Sequence, residues 1–214
     1  PRWQDVVAYE EKEPSCLQTL KAIYPRFGLN PLVAQLAQTA IKRYGGIDGT
    51  AWPYPTIAAA QYASKHCQKV YAGAQTSVKE VLGLHCLIAD KQATPAAKSF
   101  WQHTGLGASS RQASIALGRE SIASKRLGQV ARESLCIRLS DIYSCEKTLV
   151  KLHPSGMASL NSALRAISDI WPGKPTLQIG FPYVDVLKLP QVIFQGGDLL
   201  LSRDLHRLEE ELKH

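Results

Sequence analysis

The residues after Cys145 alternate between strand-like and helix-like patterns, and this alternation limits the possible folds more than any other feature of the chain. Leu149, Val150 and Leu152 predict a short buried strand, and the apolar spacing from Ala158 to Ile167 predicts a helix. After the breaker WPGKP, strands are predicted at TLQIGF and QVIF, followed by a helix at RDLHRLEEEL. Such alternation is typical of an α/β fold, a parallel sheet covered by helices.

The turn HPSGMAS, residues 153–159, lies between the first of these strands and its helix. The N–H groups of a helix's first turn lack partners within the helix and carry partial positive charge, so this turn suits a phosphate or carboxylate. A Ser155 that only caps the helix and a Gly156 that only relieves a tight bend explain the same residues. Because ligands bind at the carboxyl ends of parallel strands, Ser155 and residues 181–183 are predicted to converge.

The chain before Cys145 is predicted to contain mostly helices. Residues 1–30 have an irregular pattern and IDGTAWPYP is rich in turn residues. Helices with start signals are predicted at Asn30–Pro31, with an end at Gly45–Gly46, and at Thr94–Pro95, and the alanine-rich segment Thr56–Val70 predicts another helix. We predict an N-terminal arm over 1–30, a mostly helical region over 31–146 and an α/β domain over 147–214.

A further helical pattern runs from Ser109 to Asp141. Ile115, Ile122, Val130 and Ile137 share one side of it, but Arg119 and Arg126 interrupt this apolar face. The two arginines either pair with acidic groups in an interface or extend to water, and we favour the second interpretation.

The overall charge is basic, because the 214 residues carry a formal net charge of +7. This charge suits an anionic cofactor, an acidic substrate or nucleic acid. The basic residues are dispersed, and finger spacings and RNA-binding aromatic motifs are missing from the sequence. We therefore expect small-molecule ligands and no nucleic-acid partner.

Cysteine use and apolar runs predict a soluble, cytoplasmic protein without a membrane partner. The five cysteines show no CxxC spacing, which argues against a disulfide framework, and no apolar run has the length of a membrane span. Adjacent His and Cys residues at His66–Cys67 and His85–Cys86 do not predict zinc, because neighbours on a helix point about 100° apart. No metal site is expected, and hydrolase and nucleotide-triphosphatase motifs do not occur in the sequence.

Four segments together resemble cystathionine γ-synthase, in the longer, fungal-type branch of the pyridoxal-phosphate (PLP) enzymes of cysteine and methionine metabolism. They are YPRF (24–27), GLGASSRQA (105–113), HPSGMAS (153–159) and GFPYVDVLKL (180–189). The opening PRWQDVVAYEE is also similar to this branch. The resemblance extends over nearly the whole chain and implies the first part of a fold type I, aspartate aminotransferase-like large domain.

The resemblance also implies roles for individual residues. Ser155, Gly156 and Met157 match the turn that receives the PLP phosphate. Tyr24 and Arg26 match a pair that reaches the phosphate of the neighbouring subunit's cofactor, which implies a homodimer or tetramer. Pro25 stands between them where serine is more common.

The ring that stacks on the cofactor is less clearly assigned by the resemblance. Phe181 occupies the place where the family usually has tyrosine, and Tyr183 lies close behind it. A phenyl ring stacks as a phenol does, but only a phenol can hydrogen-bond or transfer a proton. Either residue is therefore a candidate.

The family's Schiff-base lysine, and the acid that pairs with the pyridine nitrogen, are expected beyond His214. Lys151, Lys174 and Lys188 do not lie in the family's lysine motif. We therefore expect an amino-terminal portion, inactive without a C-terminal segment of the same enzyme. With that segment, the resemblance implies γ-replacement of an activated homoserine by cysteine, as in methionine biosynthesis. A lyase or sulfhydrylase of the same family, or a non-catalytic dimerising module, remains an alternative.

Overall fold

The chain forms two compact units in the computed structural model. The first comprises Pro1–Gln102 and Leu106–Ser121, and the second His103–Gly105 and Ile122–His214. The domain limits predicted from sequence stay a prediction, since this division follows contacts alone. The structure describes residues 2–11, 13–20, 22–24, 28–44, 49–121, 124–174, 176–194, 196–200 and 209–210.

The first unit is built on a three-stranded antiparallel sheet of order β1-β3-β2. The strands are β1 (Gly49–Tyr54), β2 (Thr76–Val81) and β3 (Leu84–Asp90). Leu82 and Gly83 join β2 to β3 with positive φ angles of 52° and 79°, as a tight two-residue hairpin requires. β1 contains Pro53, which lacks an N–H and is tolerated because, among the described strands, β1 lies at the edge of the sheet beside β3.

Helices cover both faces of this sheet. α3 (Pro31–Arg43) buries Val33, Leu36, Ala37 and Ala40. The last three belong to one hydrophobic core cluster with Ala51, Cys86 and Ile88 of the sheet. The opposite strand positions, among them Tyr54, meet α4 (Ile57–Val70) and α5 (Thr94–Thr104), where Tyr54 packs edge-on against Phe100. Successive side chains of each strand point to opposite faces of the sheet, so each helical layer packs against one apolar face.

The helix starts predicted for α3 and α4 are confirmed, and their capping contacts are present. Asn30 Oδ1 accepts the N–H of Leu32 at 3.0 Å, and Thr56 Oγ1 accepts that of Ala59 at 3.2 Å. Thr94 is the first residue of α5, where it was predicted as the cap. The predicted end of α3 at Gly45–Gly46 lies outside the described residues.

Two predictions for the first unit are wrong. Residues 1–30 contain α1 (Trp3–Glu10) and α2 (Pro14–Thr19), which bury no residue and so leave no apolar periodicity in the sequence. IDGTAWPYP was predicted as turns, yet its second part is β1, because an edge strand accepts a proline. The region 31–146 therefore contains a sheet as well as its helices.

The pattern over 109–141 is divided in the structure. α6 (Ser110–Ala116) ends before Gly118, whose φ is +72°, and α7 (Lys125–Tyr143) begins after the N-cap Ser124. Ile122 lies outside the described residues. The Arg119 guanidinium donates a hydrogen bond to Gln35 Oε1 at 2.8 Å, so this exposed side chain contacts the protein as well as water.

The second unit contains the predicted helix and a short parallel sheet. α8 (Gly156–Ile170) is followed by β4 (Thr176–Ile179), α9 (Val184–Lys188), a π-helical turn (Leu189–Ile193) and β5 (Gly197–Leu200). β4 and β5 pair in parallel, with Thr176 opposite Gly197. The mixed α/β class is confirmed, and the parallel part is a two-stranded pair among the described residues.

Two predicted strands are wrong. Lys147–Leu149 is a 3₁₀ turn, and irregular backbone follows it to His153. Because Leu149 is also 68% exposed, the segment directly before α8 is not a buried strand. The residues QVI of QVIF belong to the π-helical turn and Phe194 follows it as the C-cap, while Leu189, Pro190 and Ile193 are buried at helical spacing. Of the predicted helix RDLHRLEEEL, the structure describes only Glu209 and Glu210, which are helical. None of the helices described in the structure has the length and apolar character needed to cross a membrane.

His66 makes the first unit sensitive to acid. Its side chain is buried on α4 beside Phe100, with ring centroids 5.5 Å apart, and its Nε2 has no hydrogen-bond partner among the described residues. Burial, with a smaller contribution from Lys69, lowers the pKa of His66 from 6.5 to about 4. Between pH 6.5 and about 4, His66 is therefore protonated in the unfolded chain and neutral in the folded chain.

We expect His66→Phe to reduce the loss of stability in acid. The wild-type free energy of unfolding should be fully retained above pH 6.5 and fall by up to roughly 3 kcal/mol as the pH approaches 4, because of this pKa difference. Urea unfolding followed by tryptophan fluorescence at pH 7.5 and 4.5 measures the change. The exposed His153→Gln should keep the wild-type pH dependence, and an unchanged dependence in His66→Phe would contradict the assignment.

Candidate functional site

The first turn of α8 presents unpaired N–H groups. Ser155 is extended, with φ −153° and ψ 162°, and its Oγ accepts the N–H of Ala158 at 3.2 Å. Within the described part of the chain, the N–H groups of Gly156 and Met157 have no hydrogen-bond partner. They are two of the donors that every helix leaves free at its start. Ser155 therefore caps the helix, as the simpler interpretation predicted, without consuming the two donors.

This turn is accessible from solvent. Ser155 and Gly156 are exposed, and a Cβ added at Gly156 would meet no atom within 4 Å. No acidic residue occupies the first turn of α8. With a fifteen-residue helix behind it, the turn combines free donors, partial positive charge and space, which is the chemistry of an anion site.

Gly105 packs directly against the other side of the turn. Its φ is +67°, and a Cβ there would lie 2.7 Å from the Ala158 nitrogen, 2.7 Å from Ser155 Oγ and 2.9 Å from Met157 Cβ. A side chain at residue 105 would therefore collide with the backbone and cap of α8. Only glycine fits both this conformation and this approach.

His103, two residues before Gly105, makes a buried contact with the segment that follows β4. Its Nδ1 lies 3.1 Å from Asp185 Oδ1, and the side chains are 14% and 5% exposed. The carboxylate oxygen accepts and His103 Nδ1 donates. Asp185 lies in the first turn of α9, so this contact fixes the start of α9 to the end of α5.

Residues 103–105 therefore connect the two predicted ligand loops. Gly105 contacts the Ser155 turn, and His103 contacts Asp185, which lies two residues after Tyr183. Phe181 is 95% exposed and Tyr183 is half-exposed as the N-cap of α9. Gly180, with φ +89°, makes the bend between β4 and these aromatic residues. The roles of Phe181 and Tyr183 stay predictions.

Of the predicted pair Tyr24 and Arg26, Tyr24 is described and lies in the first unit. Tyr24 is half-exposed, and its backbone N–H donates to the Tyr9 hydroxyl at 3.0 Å. Arg26 lies outside the described residues. Their predicted role at a neighbouring subunit's cofactor also stays a prediction.

Sequence reasoning missed the roles of His103, Gly105 and Asp185. The glycines of TGLG gave a local signal, because Gly107 is also in a tight position, with Trp101 Nε1 where its Cβ would lie. The contact between His103 and Asp185 joins residues 82 positions apart, so no local pattern predicts it.

Residues 32–109 match the model of a protein family described as the N-terminal domain of fungal trans-sulfuration enzymes. Over these residues the chain is similar to the N-terminal domain of the fungal trans-sulfuration enzymes. The matched region begins at the second residue of α3 and includes the three-stranded sheet, α4, α5 and Gly105. The resemblance expected from the sequence is confirmed for this matched region, which overlaps GLGASSRQA, whereas YPRF, HPSGMAS and GFPYVDVLKL lie outside it.

Individual proteins of known name are also similar to this chain. It is 27% identical over 212 residues to an L-2-amino-4-chloropent-4-enoate dechlorinase/desaturase of Streptantibioticus cattleyicolor, covering 92% of this chain and 41% of the relative. It is 29% identical over 136 residues to the cystathionine γ-synthase of Saccharomyces cerevisiae and 27% identical over 143 residues to that of Neurospora crassa. These two alignments cover 55% of this chain, and 21% and 23% of the relatives.

The chain thus spans about two fifths of the first relative and aligns with less than a quarter of the two fungal enzymes. No solved structure shows a significant match to it. The Ser155 turn lies outside the matched residues 32–109, but Gly105, which packs against it, lies inside.

We expect Gly105→Ala to destabilise the protein more than Gly173→Ala. Both residues have positive φ, 67° and 74°, so each alanine costs roughly 1 to 2 kcal/mol in backbone conformation. Only Gly105 is crowded, and its overlap with α8 adds about 1 to 3 kcal/mol. Chemical denaturation of both variants measures the difference, and equal destabilisation would show that Gly105 does not support the turn.

Proposed function

We propose that the protein is a PLP-dependent enzyme of the cystathionine γ-synthase type and that its Ser155 turn binds the cofactor phosphate. The observation that carries the proposal is the pair of N–H groups at Gly156 and Met157, which have no partner among the described residues and begin a helix at the exposed Gly156. The match of residues 32–109 to the family model supports this proposal, as does the similarity to two fungal cystathionine γ-synthases.

The residues at the turn fit a phosphate. The N–H groups of Gly156 and Met157 would each donate one hydrogen bond to the phosphate. The Ser155 oxygen accepts from Ala158, which leaves the hydroxyl proton available as a third donor. The missing side chain at Gly156 leaves space for the phosphate oxygens. Charge-assisted bonds of this kind are stronger than neutral ones.

Phe181 is the proposed stacking residue for the pyridine ring, with Tyr183 as the alternative. The Phe181 ring is almost fully exposed, so it is available for a flat aromatic ligand, and such contacts stabilise by about 0.5 to 1.5 kcal/mol beyond area burial. The contact between His103 and Asp185 would orient the segment that carries both rings. PLP, when bound, supplies an electron sink for reactions of amino acids.

The remaining parts of the proposed enzyme follow from the family resemblance. Tyr24 and Arg26 would reach the phosphate of a neighbouring subunit's cofactor, in a homodimer or tetramer of fold type I. The Schiff-base lysine would be supplied outside residues 1–214, since Lys151, Lys174 and Lys188 do not match its motif. We propose that residues 1–214 alone are inactive.

The proposed reaction is γ-replacement of an activated homoserine by cysteine. The relative aligned over 92% of this chain favours a second candidate, because its name describes removal of chlorine from carbon 4 of an amino acid. Both reactions expel a group from the γ carbon, and they differ in whether a thiol replaces it. Incubating the whole protein with an O-acylhomoserine, with and without cysteine, distinguishes a cysteine-dependent cystathionine product from elimination alone.

We expect Gly156→Leu to weaken PLP retention at least tenfold in the whole protein, because the leucine side chain would occupy the space of the phosphate. Stability should change little, since no atom lies within 4 Å of the added Cβ. Gly128→Leu, at an equally open position of α7, is the matched control and should retain PLP. Absorbance after dialysis and equilibrium denaturation measure the two effects. Undiminished PLP retention in Gly156→Leu would refute the phosphate assignment.

We expect Phe181→Ala to weaken PLP binding about two- to tenfold through loss of ring stacking. The exposed side chain contributes little to folding, so the melting temperature should stay near the wild-type value. Phe181→Tyr should restore the affinity. Comparison with Tyr183→Ala by equilibrium PLP titration identifies the stacking ring. A larger loss in Tyr183→Ala would transfer the role to that residue.

A further inference from the structure

A second concave surface of the second unit has no role in the proposed function. It is a cleft of about 680 Å³ beside α7, lined also by residues of the segment Lys147–His153 and of α8. We call it the α7 cleft. Gln129, Arg132, Glu133 and Cys136 line it from α7, at helical spacing i, i+3, i+4 and i+7. Its volume lies within the range of small-molecule sites, about 300 to 1,000 Å³.

The charges around the α7 cleft are mostly positive. Glu133 is its acidic lining residue, and its Oε1 already accepts from Lys147 Nζ at 2.7 Å. Arg132 and Lys151 line the cleft without an ion-pair partner among the described residues. With Glu133 bound to Lys147, two cationic groups remain for a ligand.

The uncharged lining defines the rest of such a ligand. Val150, Leu152 and Cys136 contribute apolar surface, and Ser162 contributes a hydroxyl. An anion with an apolar body would contact both kinds of surface, whereas a small hydrated ion would contact only the cationic groups. Arg132 also offers a planar set of donors that matches phosphate and carboxylate oxygens.

We propose that the α7 cleft binds small molecules that combine a phosphate or carboxylate group with an apolar body. Arg132 and Lys151 hold the anionic group, and Val150 and Leu152 contact the apolar part. This site is separate from the Ser155 turn, because Ser155, Gly156 and Met157 do not belong to the described lining of the cleft.

The test uses phenyl phosphate and benzoate as probes with the whole protein, followed by calorimetry. Wild-type protein should bind at least one of them more tightly than inorganic phosphate, and the preferred probe identifies the anionic group. Arg132→Gln and Lys151→Gln should each weaken that binding about tenfold, as expected for loss of a charge-assisted hydrogen bond. Arg138→Gln, an equal change of charge at an exposed α7 position outside the cleft, should change it less than twofold.

The variants also separate this site from the proposed cofactor turn. Gly156→Leu should leave phenyl phosphate binding unchanged, even where it abolishes PLP retention. Binding that is lost in Gly156→Leu and kept in Arg132→Gln would place the probe at the turn and overturn the inference. Equal weakening by Arg138→Gln and Arg132→Gln would show nonspecific charge attraction, and failure of both probes to bind would also overturn it.

Discussion

The close approach of Gly105 to the first turn of α8 is the contact on which the candidate site depends. The Ala158 nitrogen and the Ser155 cap leave no space for a side chain at residue 105, and the backbone there has a positive φ. A flexible loop could not hold the Gly156 and Met157 donors in one direction, but a backbone packed against the helix start can. The site is therefore positioned mainly by main-chain packing.

The second constraint is the buried contact between His103 and Asp185, which involves the same short segment that contains Gly105. Replacing either partner would leave a polar group in a poorly hydrated place, and such a group costs about 1 to 3 kcal/mol. Because Asp185 lies in the first turn of α9, its contact with His103 also restrains the end of the Phe181–Tyr183 segment. Binding of the phosphate and of the ring would thus depend on one three-residue segment, His103–Gly105.

Local signals predicted the elements whose causes are local. Asn30 and Thr56 cap their helices through hydrogen bonds two and three residues away, so the sequence shows them directly. The Leu149–Leu152 strand was wrong because apolar letters alone do not tell a buried strand from an exposed turn. β1 and the β2–β3 hairpin were missed because Pro53 and Leu82 are unusual at those positions and are stabilised by pairing with β3. Of the site, the turn at Ser155 was predictable, but its long-range supports were not.

Pro53 also affects whether strands of other chains can pair with the edge of the sheet. A strand that pairs on one side leaves its other side as a template for further strands. On β1, Pro53 has no N–H to offer, and its carbonyl accepts the N–H of Ala108 at 2.9 Å. The opposite border, β2, carries the exposed charges Lys79 and Glu80. Both borders therefore discourage the sheet from growing by strand addition, which protects the first unit against aggregation when copies meet at high concentration.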